Sequence, residues 1–348
     1  MNLKKCFSSN PDKWHVIESD SEPQVTFVCQ TGSHFDDAKS ARMHLRDEGV
    51  STQIVIPSPP ARLFAKHRAV EQRRYEILDS SGQDRNRFEK FISNSELVSG
   101  SEVFVFFNDW GHSSQLVEHA KSARRQLVGW VEGFQDFLNQ DISRPSLPYS
   151  HCDVILLATS QDAQFFQTKP TWLVGNQYRW EMTQRDQRPL EYQFLVNVNF
   201  TYGYSKKKGR AWLSDVLSLE GDREQFYLSR HPSDLTRGRG QRASVGPIKT
   251  VLPLTELLIT RSGTAVLDAI ALRKPFVFYN PYGEVAHRYL FIGSLMKYEA
   301  NETHRLAGLL DDVSNGNYPL CELDEFFPLP DLEPGRIAAE VIMNEVIS

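Results

Sequence analysis

Short apolar runs alternate with polar, helix-compatible stretches through the first half of the chain. The runs are VTFVC at 25–29, TQIVIP at 52–57, EVFVFFN at 102–108, QLVGWVE at 126–132 and DVILLAT at 153–159. Runs of this length that are rich in β-branched and aromatic residues predict strands, and their alternation with helices is typical of a parallel sheet covered by helices. The first half is therefore predicted to be an α/β domain.

The strand pattern restarts after a polar segment without strong periodicity at 171–191. The second set comprises YQFLVNVNF at 192–200, QFYLSRHP at 225–232, ELLITR at 256–261 and PFVFYN at 275–280, again with helices between them. We predict two Rossmann-like domains that face each other across a cleft, an N-terminal domain of residues 1–185 and a C-terminal domain of residues 186–332. The remaining segment, 333–348, is expected to form a helix that packs back on the N-terminal domain.

Composition narrows the class of protein. The 348 residues are 40% hydrophobic and 24% charged with a formal net charge of −5, which is the profile of a soluble globular protein that does not bind nucleic acid. The four cysteines form no CxxC pair, so neither a zinc site nor a disulfide framework is indicated. No apolar run approaches the roughly 20 residues that span a bilayer, and the polar start MNLKKCFSSNPDK lacks the core of a signal peptide. We expect a cytoplasmic protein whose anion-binding groups are local.

A turn of small residues in the second domain has the chemistry of a phosphate site. Ser262, Gly263 and Thr264 lie between an apolar run and an amphipathic helical stretch. A helix that starts just after a strand directs free backbone N–H groups and a positive dipole end into the crevice at the carboxyl edge of the sheet. The two hydroxyls and the close approach that glycine permits favour phosphate, and Asp268 can reach a sugar hydroxyl. The alternative is an ordinary N-capped helix with an exposed Asp268.

Other candidate groups follow the predicted strands. Gly32 and Ser33 form the loop after the first strand, where such sheets open their ligand crevice. Trp110 follows the strand at 102–108 and has the shape to stack on an acceptor sugar, although a tryptophan beside a core is the commoner case. Two basic segments, 202–210 and 236–242, can neutralise phosphate without a metal, or simply be solvated. The chain has no Asp-x-Asp pattern, which favours a site without a metal.

Three short motifs resemble those of known sugar transferases. SGTAVLDAIALRKPFVFYN at 262–280 resembles the donor-binding segment of glycosyltransferases with the two-domain GT-B fold, with Asp268 and Arg273 where those enzymes usually have Glu and Gly. His231 and Pro232 at the end of FYLSRHP resemble the His-Pro motif of bacterial sialyltransferases and Kdo transferases. Glu132 and Gly133 in GWVEGFQDF resemble their acidic motif, with Val131 in place of its first acid. The three motifs occur in this order along the chain.

The resemblance implies roles for these residues. His231 would meet the phosphate of a CMP-linked sugar, and Glu132 would deprotonate the acceptor hydroxyl in one inverting displacement, with Asp109 and Asp136 as the next candidate bases. A structural hydrogen bond for His231 and a helix N-terminal position for Glu132 are the alternatives. The expected donor-binding residues are Arg230, Pro232, Ser262, Gly263, Thr264 and Asp268, and the expected acceptor-binding residues are Gly32, Ser33, Asp109 and Trp110.

The resulting expectation is a metal-independent glycosyltransferase without a bound cofactor. Its co-substrate is a nucleotide sugar, first a CMP-activated acidic sugar of the Kdo or sialic acid type, and its acceptor is a saccharide or glycolipid of surface polysaccharide synthesis. Such acceptors imply peripheral contact with the inner face of the membrane or with a polysaccharide-assembly complex. Three alternatives stay open: a UDP-sugar glycosyltransferase, a teichoic-acid-type polyol-phosphate transferase with a CDP-linked donor, and an inactive nucleotide-binding module.

Overall fold

The chain divides into two compact units. A computed structural model describes residues 13–57, 91–109, 113–131, 149–184, 189–198, 206–221, 226–230, 234, 242–261, 263, 265–283, 299–318 and 332–347. Unit 1 comprises Met1–Trp180 together with Phe326–Ser348, and unit 2 comprises Glu181–Glu325. The boundary at 180 falls inside the helix Gln177–Gln184.

Unit 1 is built around a mostly parallel sheet. Its described strands lie in the order β4-β1-β3-β2-β5-β6-β7-β8, and β1 runs antiparallel to both β3 and β4 while the other neighbours are parallel. The strands are β1 Lys13–Ser19, β2 Val25–Val28, β3 Thr52–Pro57, β4 Phe91–Ser93, β5 Val103–Phe106, β6 Gln126–Trp130, β7 Val154–Leu157 and β8 Thr171–Leu173. The helices are α1 Gly32–Asp47, α2 Asn94–Gly100, α3 Ser114–Ser122, a 3₁₀ helix at Ser160–Phe165, α4 Gln177–Gln184, α9 Pro334–Ile342 and a π-helical turn at Met343–Ile347.

Unit 2 contains a wholly parallel sheet within its described residues, in the order β10-β9-β11-β12-β13. The strands are β9 Tyr192–Val198, β10 Phe226–Arg230, β11 Thr255–Thr260, β12 Phe276–Tyr279 and β13 Glu299–Ala300. The helices are α5 Lys206–Leu217, α6 Ile248–Val251, a 3₁₀ helix at Leu252–Leu254, α7 Ala265–Ala271 and α8 Thr303–Ser314. The predicted α/β architecture with two Rossmann-like sheets is confirmed. Among the helices described, none is both long and apolar enough to cross a membrane.

The strands of unit 1 are apolar because helices cover both faces of the sheet. In β5, Val103 and Val105 belong to one buried cluster and Phe104 and Phe106 to the other. The first cluster includes the inner faces of α1 and α9, and the second includes those of α2 and α3. A strand buried on both sides has no polar face, which explains why it appears in the sequence as a continuous apolar run rather than an alternating one.

The antiparallel strand β1 was not among the strands predicted from the sequence. Its sequence, KWHVIES, mixes polar and apolar positions and lacks the continuous apolar character of the other strands. Its position depends on residues far along the chain, because the indole Nε1 of Trp14 donates to Asn94 Oδ1 at 2.6 Å and both residues are buried. Pairing with β4 in addition to β3 therefore specifies a strand that local pattern leaves ambiguous.

The C-terminal helix α9 packs closely against α1. Glu333, just before α9, accepts hydrogen bonds from Ser40 Oγ at 2.5 Å and from Gln177 Nε2 at 3.1 Å, and pairs with His44 Nε2 at 3.1 Å. Gly335 lies against α1 so closely that a Cβ atom there would overlap the Ser40 side chain and lie 2.8 Å from the backbone nitrogen of Ala41. The absence of a side chain at Gly335 is therefore a condition for this contact.

We predict that Gly335→Ala lowers the melting temperature, because the added methyl group must push α1 and α9 apart. Overpacking of a close contact typically costs about 1–3 kcal/mol. The matched control is Gly308→Ala in α8, where a Cβ atom would meet nothing within 4 Å. That change should leave stability equal or raise it by up to about 1 kcal/mol through helix propensity. Thermal unfolding of both variants measures the difference, and an unchanged melting temperature for Gly335→Ala would contradict the close packing.

Candidate functional site

Polar residues collect at the carboxyl edge of the unit 2 sheet. Neighbouring strands end there in Arg230 of β10, Asn197 of β9, Thr260 and Arg261 at the end of β11, and Asn280 after β12. Asn197 and Thr260 are paired in register on adjacent strands. Because the strands are parallel, all these ends lie on the same side of the sheet, which is where ligands bind in open α/β sheets.

Hydrogen bonds order the side chains at this edge. Asn197 Nδ2 donates to Thr260 Oγ1 at 3.4 Å, and that hydroxyl donates in turn to the backbone oxygen of Arg261 at 2.8 Å. On the other side of β11, Asn280 Nδ2 donates to Glu299 Oε1 at 3.2 Å. The edge is therefore a polar surface of fixed geometry, built from the ends of strands whose interiors are apolar.

The turn after β11 brings a cation, a glycine and a carboxylate into one short segment. Arg261 is 3% exposed, Gly263 is buried, and Asp268 in the first turn of α7 is 4% exposed. Asp268 is thus not on a solvated face, contrary to the alternative of an ordinary capped helix with an exposed Asp. Two predicted residues of the turn, Ser262 and Thr264, lie outside the described residues.

A buried ion pair follows β10. Arg230 Nη1 lies 2.6 Å from Asp234 Oδ2, and the two side chains are 5% and 3% exposed. Arg230 is one of the predicted donor-binding residues, whereas Asp234 was not singled out in the sequence. His231 and Pro232, which stand between them in the chain, lie outside the described residues.

The carboxyl edge of the unit 1 sheet carries part of the predicted acceptor site. Gly32 and Ser33 are the first residues of α1, whose N-cap Thr31 accepts the His34 N–H at 3.3 Å. Asp109 is buried three residues beyond the end of the neighbouring strand β5. Trp110, Glu132, Gly133 and Asp136 lie outside the described residues.

His34 is a polar residue at this edge that the sequence interpretation missed. It is buried, and its ring stacks on Phe107 with centroids 4.9 Å apart. Its Nδ1 accepts the backbone N–H of Gln30 at 3.1 Å, while the Gln30 side chain donates to Ser113 Oγ at 2.7 Å. These contacts join the loop after β2 to the segment after β5. A histidine directly after the Gly-Ser start of a helix is the signal that would have indicated it.

Asp162 is a second buried polar residue beyond a strand end of unit 1. Its Oδ2 accepts the backbone N–H of Thr159 at 2.8 Å and the Thr159 hydroxyl at 3.1 Å, and its Oδ1 has no hydrogen-bond partner. Burial raises the pKa of this carboxyl to about 6, because the loss of hydration outweighs the Thr159 hydrogen bonds and the positive charge of Arg179. Asp162 therefore titrates at a higher pH than an exposed aspartate.

In the described parts of the two units, no group of three or more His, Cys, Asp or Glu side chains could hold a metal ion. The cationic groups at the unit 2 edge, Arg230 and Arg261, are instead the kind that binds phosphate directly.

Comparison with known proteins identifies the fold. No protein-family model and no curated protein sequence matches the chain. Among solved structures, it is similar to the complex of MnaA from S. aureus with UDP, with a TM-score of 0.61 and 12% identity over 93% of this chain and 96% of that one. It is also similar to a putative UDP-N-acetylglucosamine 2-epimerase from Listeria monocytogenes, with a TM-score of 0.56 and 12% identity over 92% and 94% of the two chains. A third similar structure is the wall teichoic acid polymerase TagF with CDPG, with a TM-score of 0.53 and 11% identity over 94% and 90%. These proteins have the GT-B fold, and the similarity shows that this chain has a GT-B-like fold.

We predict that the contribution of Asp162 to the free energy of unfolding falls as the pH rises from about 4 to about 6, and that Asp162→Asn lacks this contribution. The pKa of Asp162 in the folded protein, about 6, lies above its ordinary value of 3.8, so its stabilising contribution is complete below pH 3.8 and is lost as the carboxyl ionises near pH 6. The effect is on the order of 3 kcal/mol, since one pKa unit corresponds to about 1.4 kcal/mol. Chemical denaturation at several pH values measures it. A decline of equal size in the variant would show that Asp162 does not titrate in this range.

Proposed function

We propose that this chain is an enzyme of the glycosyltransferase type that binds a nucleotide-activated sugar at the carboxyl edge of the unit 2 sheet. The observation that carries the proposal is the combination at that edge of Arg230, whose side chain is 5% exposed, with the buried Arg261 and the buried Gly263. Guanidinium groups bind phosphate oxygens through paired hydrogen bonds, and glycine lets phosphate approach the backbone. Structures of similar fold were solved with UDP and with CDPG, which supports a nucleotide-linked ligand.

The finer proposal assigns roles to individual residues. His231, Ser262 and Thr264 bind the phosphate of a CMP-linked acidic sugar of the Kdo or sialic acid type, with Pro232 fixing the local backbone and Asp268 binding a sugar hydroxyl. Glu132 in unit 1 acts as the general base on the acceptor hydroxyl, and Gly32, Ser33, Asp109 and Trp110 contact the acceptor. The arginines supply the counter-charge that a divalent cation supplies in metal-dependent enzymes, so the proposed transfer requires no metal. The acceptor is a saccharide or glycolipid of surface polysaccharide synthesis, met in the cytoplasm at the inner face of the membrane.

The solved structures favour two further candidate activities. Similarity to TagF with CDPG supports a polyol-phosphate transferase, which would release CMP while transferring a glycerol phosphate. Similarity to UDP-N-acetylglucosamine 2-epimerases supports a UDP-sugar ligand, either as the donor of a transferase or as the substrate of an epimerase that needs no acceptor. Product analysis separates these: free nucleotide with a new glycosidic bond, CMP with a transferred polyol phosphate, or an epimerised nucleotide sugar.

We predict that at least one of CMP, CDP and UDP raises the melting temperature of the wild-type protein, and that Gly263→Val abolishes the shift. A ligand at about 100 times its dissociation constant stabilises the folded state by about 2.7 kcal/mol. Valine at the buried Gly263 would fill the space that phosphate needs. The matched control is Gly221→Val, an exposed position where a Cβ atom would meet nothing within 4 Å, and it should keep the shift. Equal nucleotide affinity in the Gly263→Val variant would refute the proposed donor site.

We predict that Glu132→Gln lowers turnover by about 10²- to 10⁴-fold, the usual contribution of a general base. Glutamine keeps the size and hydrogen bonding of the side chain but cannot accept the proton, so donor affinity should be preserved. Turnover at saturating donor and calorimetric donor affinity test this together. Retained turnover would assign the base to another residue, with Asp109 and Asp136 next, and joint loss of affinity and folding would make Glu132 structural.

A further inference from the structure

Arg230, the last residue of β10, forms an ion pair with Asp234 in which both side chains are buried. The guanidinium and carboxylate groups are 2.6 Å apart, and their side chains are 5% and 3% exposed. They stand four positions apart in the sequence, with His231, Pro232 and Ser233 between them. A charge pair with so little solvent access is far less screened than a surface pair.

The Arg230 end of this contact is held by the sheet. Arg230 is the last residue of β10, and its backbone N–H donates to Ser244 Oγ at 3.2 Å. The preceding residue, Ser229, donates from its hydroxyl to the backbone oxygen of Gly246 at 3.0 Å, and Ser244 Oγ donates to the same oxygen at 3.2 Å. The backbone of Arg230 is therefore held at the strand end, and Asp234 is the group that pairs with its side chain.

We infer that Asp234 is a positioning residue for the donor phosphate site, because it orients the Arg230 guanidinium. This inference rests on the proposed function, in which His231 and Arg230 meet the phosphate. Asp234 itself does not contact the substrate in the proposed role; it acts through Arg230.

Two roles for Asp234 predict opposite effects on nucleotide affinity. If the carboxylate only balances the charge of Arg230, its removal leaves more positive potential at the edge, and a phosphate binds as tightly as before or more tightly. If it positions Arg230, its removal misplaces the guanidinium group and weakens binding even though the site has become more positive. The direction of the change thus separates positioning from charge balance.

The experiment compares Asp234→Asn and Asp234→Glu with the wild type by calorimetric titration of CMP, CDP and UDP. Asp234→Asn removes the charge and keeps the size, whereas Asp234→Glu keeps the charge and moves it by one methylene group. Positioning predicts an affinity loss of about tenfold or more for Asp234→Asn, the usual effect of removing a supporting residue, and a loss of several-fold for Asp234→Glu. Equal or tighter binding by Asp234→Asn, or unchanged affinity in Asp234→Glu, would overturn the inference. If Asp234→Asn does not fold, Asp234→Glu alone decides, because its charge pair is preserved.

The matched control is the ion pair at the opposite end of the same strand. Arg242 Nη2 lies 2.6 Å from Glu220 Oε2, and this pair contacts Phe226, the first residue of β10, while its side chains are 41% and 28% exposed. Glu220→Gln removes one negative charge, as Asp234→Asn does. It should nevertheless leave nucleotide affinity within twofold of the wild type. An affinity loss equal to that of Asp234→Asn would show that any disturbance of β10 has this effect and would overturn the specific role of Asp234.

Failure of this inference is distinguishable from failure of the proposed function. If the wild-type protein binds none of the three nucleotides, the proposed function fails and the role of Asp234 falls with it. If the wild type binds a nucleotide and the Asp234 variants bind it equally well, only the positioning role fails.

Discussion

Parallel pairing of backbones in sheets covered on both faces is the constraint on which the rest of this structure depends. A polar side chain in the middle of such a strand loses its hydration and needs a buried partner, as Gln53 and Thr26 find in each other, so the strand interiors are mostly apolar. Polar side chains are displaced to the strand ends, and parallel direction puts those ends on one side. In unit 2 this gathers Asn197, Arg230, Arg261 and Asn280 at one edge although they are distant in sequence. The candidate site is thus a consequence of the sheet.

Long-range polar contacts complete unit 1. Asp37 in α1 accepts the backbone N–H of Gln177 at the start of α4 and the side-chain amide of Asn176 at 3.4 Å, across about 140 residues of sequence. Such a bond satisfies one of the N–H groups that a helix leaves free at its N-terminus. Glu333 connects the C-terminal segment to α1 through its side-chain contacts with Ser40 and His44. The polar groups on the covered side of α1 therefore join three segments of the chain, in addition to the apolar packing beneath them.

The carboxylates of this protein show how local surroundings set their chemistry. Burial raises the pKa of Asp162 to about 6, because the hydrogen bonds from Thr159 offset only part of the lost hydration. Burial also acts on Asp20, but there the hydrogen bonds from Thr52 and the charges of Arg42 and Arg46 outweigh it and the pKa is lowered. Depth of burial and the number of donors, rather than residue type, decide whether the pKa of an acid is raised or lowered.

The sequence alone determined the α/β class, the positions of most strands along the chain and the turn at Gly263. These follow from local apolar runs and from the backbone freedom of small residues. It also indicated Arg230 and Asp268 as polar groups at strand and helix ends. Only the tertiary structure decided that β1 joins its sheet antiparallel, that Asn197, Arg261 and Asn280 share one edge, and that Asp234 pairs with Arg230. The physical reason is that hydrophobic pattern specifies which face of an element is buried, whereas the partner of a buried polar group is specified by how distant elements pack together.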